Sequence, residues 1–199
     1  NLSLETDRIL AELNSLGIKC VPLKGILLKN DYPFAYLRTM VDVDILYDEK
    51  MQPQVHKFFI DNGYTMEHKG RKDSAYRKDK ILHYEMHTSL VNPDSEGFEY
   101  FSAALERVDF SNSNIGKLTP EDTYIYMVEH LANHVLHGGA GIKLFMDMYI
   151  YLKNHEKEIN RDYVHQILSD IKLLDFEKKT IEIANSWFSY ESRAEVLSE

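Results

Sequence analysis

One run of alternating apolar and acidic residues, Val41-Asp42-Val43-Asp44-Ile45-Leu46, limits what this chain can fold into more than any other feature. A period of two is that of a β-strand, so the two aspartates face one side of a sheet and the apolar residues face the other. Two carboxylates this close repel each other unless a cation lies between them, and such oxygen ligands suit Mg²⁺ and the phosphates it accompanies. The run therefore predicts a half-buried strand that binds Mg²⁺ and a nucleoside triphosphate.

Three further polar features flank this strand along the chain. Lys24-Gly25 follows a short apolar strand, where a residue without a Cβ lets phosphate approach the backbone and the start of a helix offers free N–H groups. Arg38 precedes the acidic strand and is suitably placed to hold a triphosphate. Glu85 lies on the polar side of a later strand and is a candidate third carboxylate. Metal ions held by three carboxylates meet the needs of phosphoryl or nucleotidyl transfer.

Histidines share the face of that third carboxylate. In the predicted strand 81–90, His83 and His87 alternate with apolar residues and lie on the same side as Glu85. His87 is therefore a candidate to contact substrate or to accept a proton. The alternative for His87 is a structural hydrogen bond.

A second group of histidines lies in a predicted helix near residues 120–137. His130, His134 and His137 are spaced by four and three residues, so they share one helical face. Three interpretations stay open: His130 or His134 lines a nucleotide cleft, the group binds zinc, or the rings only pack between helices.

The order of the predicted elements indicates two domains in an α+β chain. Residues 1–112 alternate helices with short strands, which predicts a short mixed sheet flanked by helices. Residues 113–199 are predicted to form a helical domain. Its first long helix is marked by Thr119-Pro120-Glu121-Asp122, with an N-cap, a proline at the first position and acids in the first turn.

Composition restricts the partners and the compartment. The 199 residues carry a formal net charge of −9, which argues against long nucleic acid because such binding needs clustered basic residues. No apolar run approaches the roughly 20 residues that span a bilayer, so no membrane is expected. The single cysteine, Cys20, excludes an intrachain disulfide and fits a reducing cytoplasm. The first residue is not Met, which leaves open that the chain is a piece of a longer protein.

The motifs taken together resemble a known family over about residues 10–155. The order Leu23-Lys24-Gly25, then Arg38-x-x-x-Asp42-Val-Asp44-Ile-Leu, then Glu85-Met-His87, then His130-x-x-x-His134-x-x-His137-Gly138 is similar to the uncharacterised nucleotidyltransferase family of the DNA polymerase beta-like superfamily. The usual small-residue motif of that superfamily after the first strand, Gly-Gly or Gly-Ser, stands here as Lys24-Gly25.

The resemblance implies a minimal nucleotidyltransferase fold whose C-terminal helical domain closes one side of the cleft. It also implies that Asp42 and Asp44 bind the metals, with Glu85 as third carboxylate on an antiparallel neighbour of the aspartate strand. Such an enzyme moves a nucleoside monophosphate from an NTP with Mg²⁺ (or Mn²⁺), with ATP expected, to a hydroxyl of a small molecule or protein, and releases pyrophosphate.

Roles for the other residues follow from the same reading. Lys24, Gly25 and Arg38 would hold the phosphates, and the remaining candidates for the nucleotide site are His87, His130 and His134. Two alternatives remain: a nucleotide-binding or regulatory module that has lost turnover, and a metal-dependent phosphodiesterase.

Overall fold

The computed structural model describes residues 2–189 and divides the chain into two compact units, Asn1–Thr119 and Pro120–Glu199. The first unit contains one sheet. Its strands are β1 (Cys20–Pro22), β2 (Val43–Tyr47), β3 (Thr65–Lys69), β4 (Asp73–Lys78) and β5 (Leu82–His87). The helices of this unit are α1 (Leu2–Ser15), α2 (Gly25–Leu28), α3 (Gln52–Asp61) and α4 (Phe98–Ser102), with 3-10 turns at Ala35–Leu37, Glu49–Met51 and Ala104–Arg107.

The sheet is mixed, as predicted, and its strand order is β1-β2-β5-β4-β3. β1 pairs with β2 antiparallel, and β4 pairs antiparallel with both β3 and β5. β2 and β5 are parallel, so the expected antiparallel neighbour of the aspartate strand is wrong. The reason is the connection between the strands. Helix α3 returns the chain, so β3 runs in the same direction as β2. The two antiparallel turns that follow, from β3 to β4 and from β4 to β5, leave β5 in that direction as well.

The apolar face of the sheet carries the core of the first unit. From β2 and β5, Val43, Ile45 and Tyr84 are buried against α1 and α3. Phe59 of α3 stacks on Tyr76 of β4 with ring centroids 4.5 Å apart. Because side chains alternate along a strand, this packing turns the acidic side chains of β2 and β5 to the opposite face.

The predicted aspartate strand starts two residues later than expected. Val41 lies outside β2 and is 74 % exposed, whereas Val43 is buried. The pairing of β2 with β5 begins at Val43 opposite Tyr84. The alternation of the sequence therefore holds from Val43 onward, where a neighbouring strand is present to bury the apolar side.

Residues just after position 112 belong to the first unit. The Cys20 backbone N–H donates to the Asn114 carbonyl at 2.8 Å, and the Gly116 N–H donates to the Cys20 carbonyl at 2.9 Å. Ile115 thereby forms a parallel bridge beside β1. The division between the units consequently falls at Thr119, after this segment, and not at the expected residue 112.

The second unit is helical in its described part, with α5 (Pro120–His137), α6 (Ile142–His155), α7 (Arg161–Asp170) and α8 (Leu174–Phe188). α5 begins at Pro120, where the sequence placed the helix start. A polar group links three of these helices in the interior: the Tyr124 hydroxyl donates to Glu177 Oε1 at 2.6 Å, and Arg161 Nη2 donates to the same oxygen at 3.0 Å. No helix within residues 2–189 is both long enough and apolar enough to cross a membrane.

Candidate metal and nucleotide site

The sheet brings the three predicted carboxylates together on its polar face. Asp44 and Glu85 are register partners in the parallel pair of β2 and β5, and Asp42 precedes Asp44 by one pleat. Glu85 belongs to two groups of possible metal ligands, one with Asp42 and His83 and one with Asp44 and His87. Within each group the donor atoms lie within 4.8 Å of one another. The structure therefore places two potential ion positions side by side with one shared carboxylate.

His87 holds Asp44 in place through a direct hydrogen bond. Its Nε2 lies 2.9 Å from Asp44 Oδ1 and 3.7 Å from Glu85 Oε2, and its side chain is 5 % exposed. The other ring nitrogen, Nδ1, is buried and has no hydrogen-bond partner within residues 2–189. A carboxylate accepts only, so Nε2 carries the proton and donates, while a proton on Nδ1 would leave a buried donor unmatched. His87 thus positions one of the two aspartates.

Lys24 approaches the same aspartate from the end of β1. Its Nζ lies 3.7 Å from Asp44 Oδ2, and both side chains are 14 % exposed. The backbone is tied as well, since the Leu23 N–H donates to the Asp44 carbonyl at 2.9 Å. Lys24 has φ 39° and ψ −111°, a conformation that costs a residue with a Cβ energy and persists only where surrounding contacts impose it.

Gly25 and Arg38 lie close to each other. A Cβ on Gly25 would lie 3.0 Å from Met40 Sδ and 3.5 Å from Arg38 Nη1, so the absent side chain permits this approach. Arg38 is buried, and its Nη1 donates to the Thr39 carbonyl at 2.8 Å. The predicted phosphate-holding residues therefore form a local group. Their role toward phosphate stays a prediction.

Without a cation, the surroundings of Glu85 destabilise its charged form. Burial raises the pKa of its carboxyl group, and the negative charges of Asp44 and Asp42 raise that pKa further, while His87 acts in the opposite direction. A divalent cation removes this repulsion, and carboxylate oxygens with imidazole nitrogens are ligands that such ions accept. The donor set fits a divalent ion, which Asp42, Asp44 and Glu85 would hold.

The raised pKa of Glu85 predicts how the stability of the metal-free protein depends on pH. Folding favours protonated Glu85, so the free energy of unfolding falls as pH rises from the ordinary pKa of 4.5 through the raised pKa of the folded state. Glu85→Gln has no carboxyl group to deprotonate at this position, so the variant does not lose this part of its stability as pH rises. At neutral pH without metal the variant should be more stable by at most about 1 kcal/mol, because the partly exposed side chain is screened by solvent.

Chemical unfolding in EDTA between pH 4 and 8 measures this effect. Glu49→Gln is the matched control, since Glu49 is exposed and lies outside both ligand groups. A difference between Glu85→Gln and the original protein that shrinks as pH rises would contradict the electrostatic account.

The histidines of α5 lie in the second unit. His130 and His134 approach with their Nε2 atoms 3.1 Å apart, and His137 Nδ1 lies 2.9 Å from the Asn133 carbonyl. No group of three possible metal ligands found within residues 2–189 includes them. Their role at a nucleotide site remains a prediction.

Sequence reasoning did not assign His83 to the site. His83 joins Asp42 and Glu85 in the first ligand group, and its Nε2 lies 3.8 Å from Glu67 Oε2. The available signal was its position two residues before Glu85, on the same face of β5. The sequence did not reveal the register between β2 and β5, which brings this face of β5 next to Asp42.

Two cavities of the structure lie away from these carboxylates. One of about 320 Å³ is lined by residues of α6 and α8 together with Arg161, and one of about 390 Å³ is lined by residues of α1 and α3. Neither lining includes a residue of the two ligand groups. The candidate site is therefore defined by its converging polar atoms rather than by either cavity.

A five-stranded mixed sheet flanked by helices, followed by further helices, is a nucleotidyltransferase-like fold, which confirms the predicted fold class. The model of the family described as "Uncharacterised nucleotidyltransferase" matches residues 1–189. The chain belongs to this family, and the resemblance seen in the sequence is confirmed.

Solved structures share this fold at low sequence identity. The solution structure of the antibiotic-resistance factor ANT(2″)-Ia is 8 % identical, with a TM-score of 0.60 over 91 % of this chain and 94 % of that one. A crystal structure of ANT(2″)-Ia in complex with adenylyl-2″-tobramycin is 9 % identical, with a TM-score of 0.59 over 85 % and 96 %. An antigenic nucleotidyltransferase-like protein from Paracoccidioides brasiliensis is 14 % identical, with a TM-score of 0.56 over 92 % and 91 %. No curated protein matches the sequence significantly.

Proposed function

We propose that this protein transfers a nucleoside monophosphate from a nucleoside triphosphate, with ATP the expected donor, to a hydroxyl of a small molecule or protein, and releases pyrophosphate. The observation that carries this proposal is the convergence of Asp42, Asp44 and Glu85 from two parallel strands onto adjacent ion positions. Structural carboxylates are normally paired with cations or exposed, whereas Glu85 is half-buried and is repelled by both Asp44 and Asp42. An arrangement that costs stability is expected at a functional site.

The residues around the carboxylates divide the remaining tasks. Lys24, Gly25 and Arg38 hold the phosphates, since a lysine and an arginine supply charge-assisted hydrogen bonds and the glycine gives access to the backbone. Divalent ions, Mg²⁺ or Mn²⁺, would neutralise the charge that develops on the phosphates when bound. His87 keeps Asp44 oriented through its Nε2 hydrogen bond.

Glu85 is the candidate to accept the proton of the attacking hydroxyl. Its carboxylate belongs to both ligand groups, so a hydroxyl at either ion position would lie beside a carboxylate oxygen that can take its proton. The hydroxyl oxygen then forms a bond to the α-phosphorus and the bond from that phosphorus to the pyrophosphate oxygen breaks. The proton remains on Glu85 until solvent takes it.

A small acceptor is favoured over a polynucleotide. The net charge of −9 opposes a long phosphate backbone. ANT(2″)-Ia, which shares the fold, was solved with an adenylylated small molecule, adenylyl-2″-tobramycin. A cytoplasmic location stays a prediction from the single cysteine.

The test is incorporation of label from α-³²P-ATP into a panel of hydroxyl compounds and proteins, measured together with pyrophosphate release. Transfer requires both label in an acceptor and an equal amount of pyrophosphate. Calorimetric binding of ATP without release over the whole panel would identify a silent binding module, and release of AMP without incorporation would identify a phosphodiesterase. Either result would replace the proposal.

Lys24 allows stability and nucleotide binding to be separated. Lys24→Gly should raise the free energy of unfolding by about 1 kcal/mol, because glycine adopts the positive φ without strain. The same change should weaken ATP binding by about 10-fold, because it removes a charge-assisted contact to phosphate. Thermal unfolding and calorimetry measure the two effects.

Two further variants complete this comparison. Lys172→Gly is the matched control, since Lys172 also has a positive φ, 61°, and lies in the second unit. It should gain stability and leave ATP binding unchanged. Lys24→Met keeps the strain and removes the charge, so it should lose affinity without gaining stability. Unchanged ATP affinity in both Lys24 variants would remove this residue from the proposed site.

A further inference from the structure

We propose that His83 is a metal ligand, and that the ion position formed by Asp42, His83 and Glu85 therefore prefers a first-row transition ion such as Mn²⁺ over Mg²⁺. The inference deepens the proposed function by naming the ion, and it rests on the same carboxylates. It adds a nitrogen ligand that the sequence motifs did not include.

The placement of His83 is determined by the sheet. His83 and Glu85 are two residues apart on β5 and share its polar face, while the parallel pairing with β2 brings Asp42 to the same place. One donor atom of each of the three residues lies within 4.8 Å of the other two. The His83 side chain is 13 % exposed, so its ring is held against the sheet and not displayed in solvent.

A further carboxylate, that of Glu67, lies close to this imidazole. Glu67 Oε2 is 3.8 Å from His83 Nε2, and Glu67 Oε1 accepts a hydrogen bond from Arg77 Nε at 2.7 Å. A carboxylate close to a ligating histidine commonly fixes the orientation of the ring and strengthens it as a ligand. The hydrogen bond from Arg77 thus holds the Glu67 carboxylate beside His83.

The two ion positions differ in chemistry because the two histidines do different things. His87 uses Nε2 to donate to Asp44, so the second group offers its ion the oxygens of Asp44 and Glu85. His83 adds nitrogen to the first group. Mg²⁺ takes oxygen ligands and retains water, whereas transition ions gain from imidazole. The position formed by Asp42, His83 and Glu85 is therefore the one expected to bind Mn²⁺ more tightly than Mg²⁺.

The test uses the whole chain without nucleotide. Free Mn²⁺ is followed by its EPR signal during titration, and Mg²⁺ is then added as competitor. The expected dissociation constant for Mn²⁺ is at least about 10-fold below that for Mg²⁺. His83→Gln should weaken Mn²⁺ binding by about 10-fold or more and change Mg²⁺ binding by less than about 3-fold.

Matched variants isolate the effect of His83. His68→Gln is the control on the edge strand β3, since the His68 side chain is 64 % exposed and its Nε2 lies 3.7 Å from Asp73 Oδ1. It should bind both ions as the original protein does. All measurements are repeated with His134→Ala, which removes any contribution from the His130–His134 pair of α5.

A direct measurement avoids dependence on the folding of the variant. Pulsed EPR of bound Mn²⁺ detects a strong coupling to ¹⁴N when a nitrogen is a ligand, and this strong coupling should be present in the original protein and in His134→Ala. Absence of strong ¹⁴N coupling, or equal competition by Mg²⁺, overturns the inference while nucleotide transfer can still be observed. Failure of the original protein to bind either ion overturns this inference, whereas the proposed function is overturned only if transfer of label from ATP is also absent.

Discussion

Replacing Asp42 with asparagine is expected to lower nucleotide transfer by about 1000-fold or more while leaving the protein as stable as before or slightly more stable. Asp42 contributes a carboxylate to the first ligand group, and a lost metal ligand removes several kcal/mol of charge stabilisation, of which about 4 kcal/mol corresponds to 1000-fold. Stability should not fall, because the substitution removes one member of a repelling set of acids. Initial rates with labelled ATP and thermal unfolding of the same preparations measure both quantities.

The opposite pattern of results would identify Asp42 as a structural residue. A loss of several kcal/mol in stability with activity falling in proportion would mean that the carboxylate holds the fold and not an ion. Asp61→Asn is the matched control, because Asp61 is an exposed aspartate of α3 that pairs with Lys57 at 2.6 Å. This control should keep full activity and change stability by no more than about 0.5 kcal/mol.

The second large effect is expected in the helical unit, where Arg161→Met should destabilise the protein by about 3 kcal/mol. Glu177 is completely buried, and its Oε1 accepts from the Tyr124 hydroxyl and from Arg161 Nη2. Removing the arginine leaves a buried carboxylate without its cation, which typically costs 3–5 kcal/mol. The lower end applies because the Arg161 side chain is 32 % exposed. Differential scanning calorimetry should show a fall in Tm of roughly 6–12 °C.

Two comparisons separate the lost pairing from lost charge or packing. Lys153→Met removes a positive charge from an exposed position of α6 and should change stability by no more than about 0.5 kcal/mol. Adding Glu177→Gln to Arg161→Met should restore part of the loss, since a neutral amide costs less to bury than an unpaired carboxylate. A loss below about 1 kcal/mol in Arg161→Met alone would show that Glu177 does not depend on Arg161.

Much of the local structure was predictable because it depends on neighbouring residues in the chain. The period of two around Asp44 and Glu85 identified both strands and the faces on which their carboxylates lie. The N-terminal signals at Pro120 identified the start of α5. Lys24-Gly25 was recognised as the turn after β1 because glycine and the apolar strand before it are adjacent in sequence.

The relations between distant segments were not predictable in the same way. The direction of β5 was expected to be antiparallel to β2 and is parallel. Residues near Asn114 were assigned to the second domain, but their backbone pairs with Cys20. His83 was not assigned to the site, although it lies beside Asp42. Each of these facts depends on which strand lies next to which and in what register.

The sequence by itself determined the types of the strands and helices, the acidic face of β2, the face that Glu85 shares with two histidines, and the family. Only the tertiary structure decided that Asp44 lies opposite Glu85, that Asp42 lies near His83, and that Glu85 is shared by two groups of possible metal ligands. The physical reason is that side-chain alternation is a property of a single strand. The identity, direction and register of its neighbour come from packing α1 and α3 on the apolar face and from the crossover through α3, which involve residues far apart in the chain.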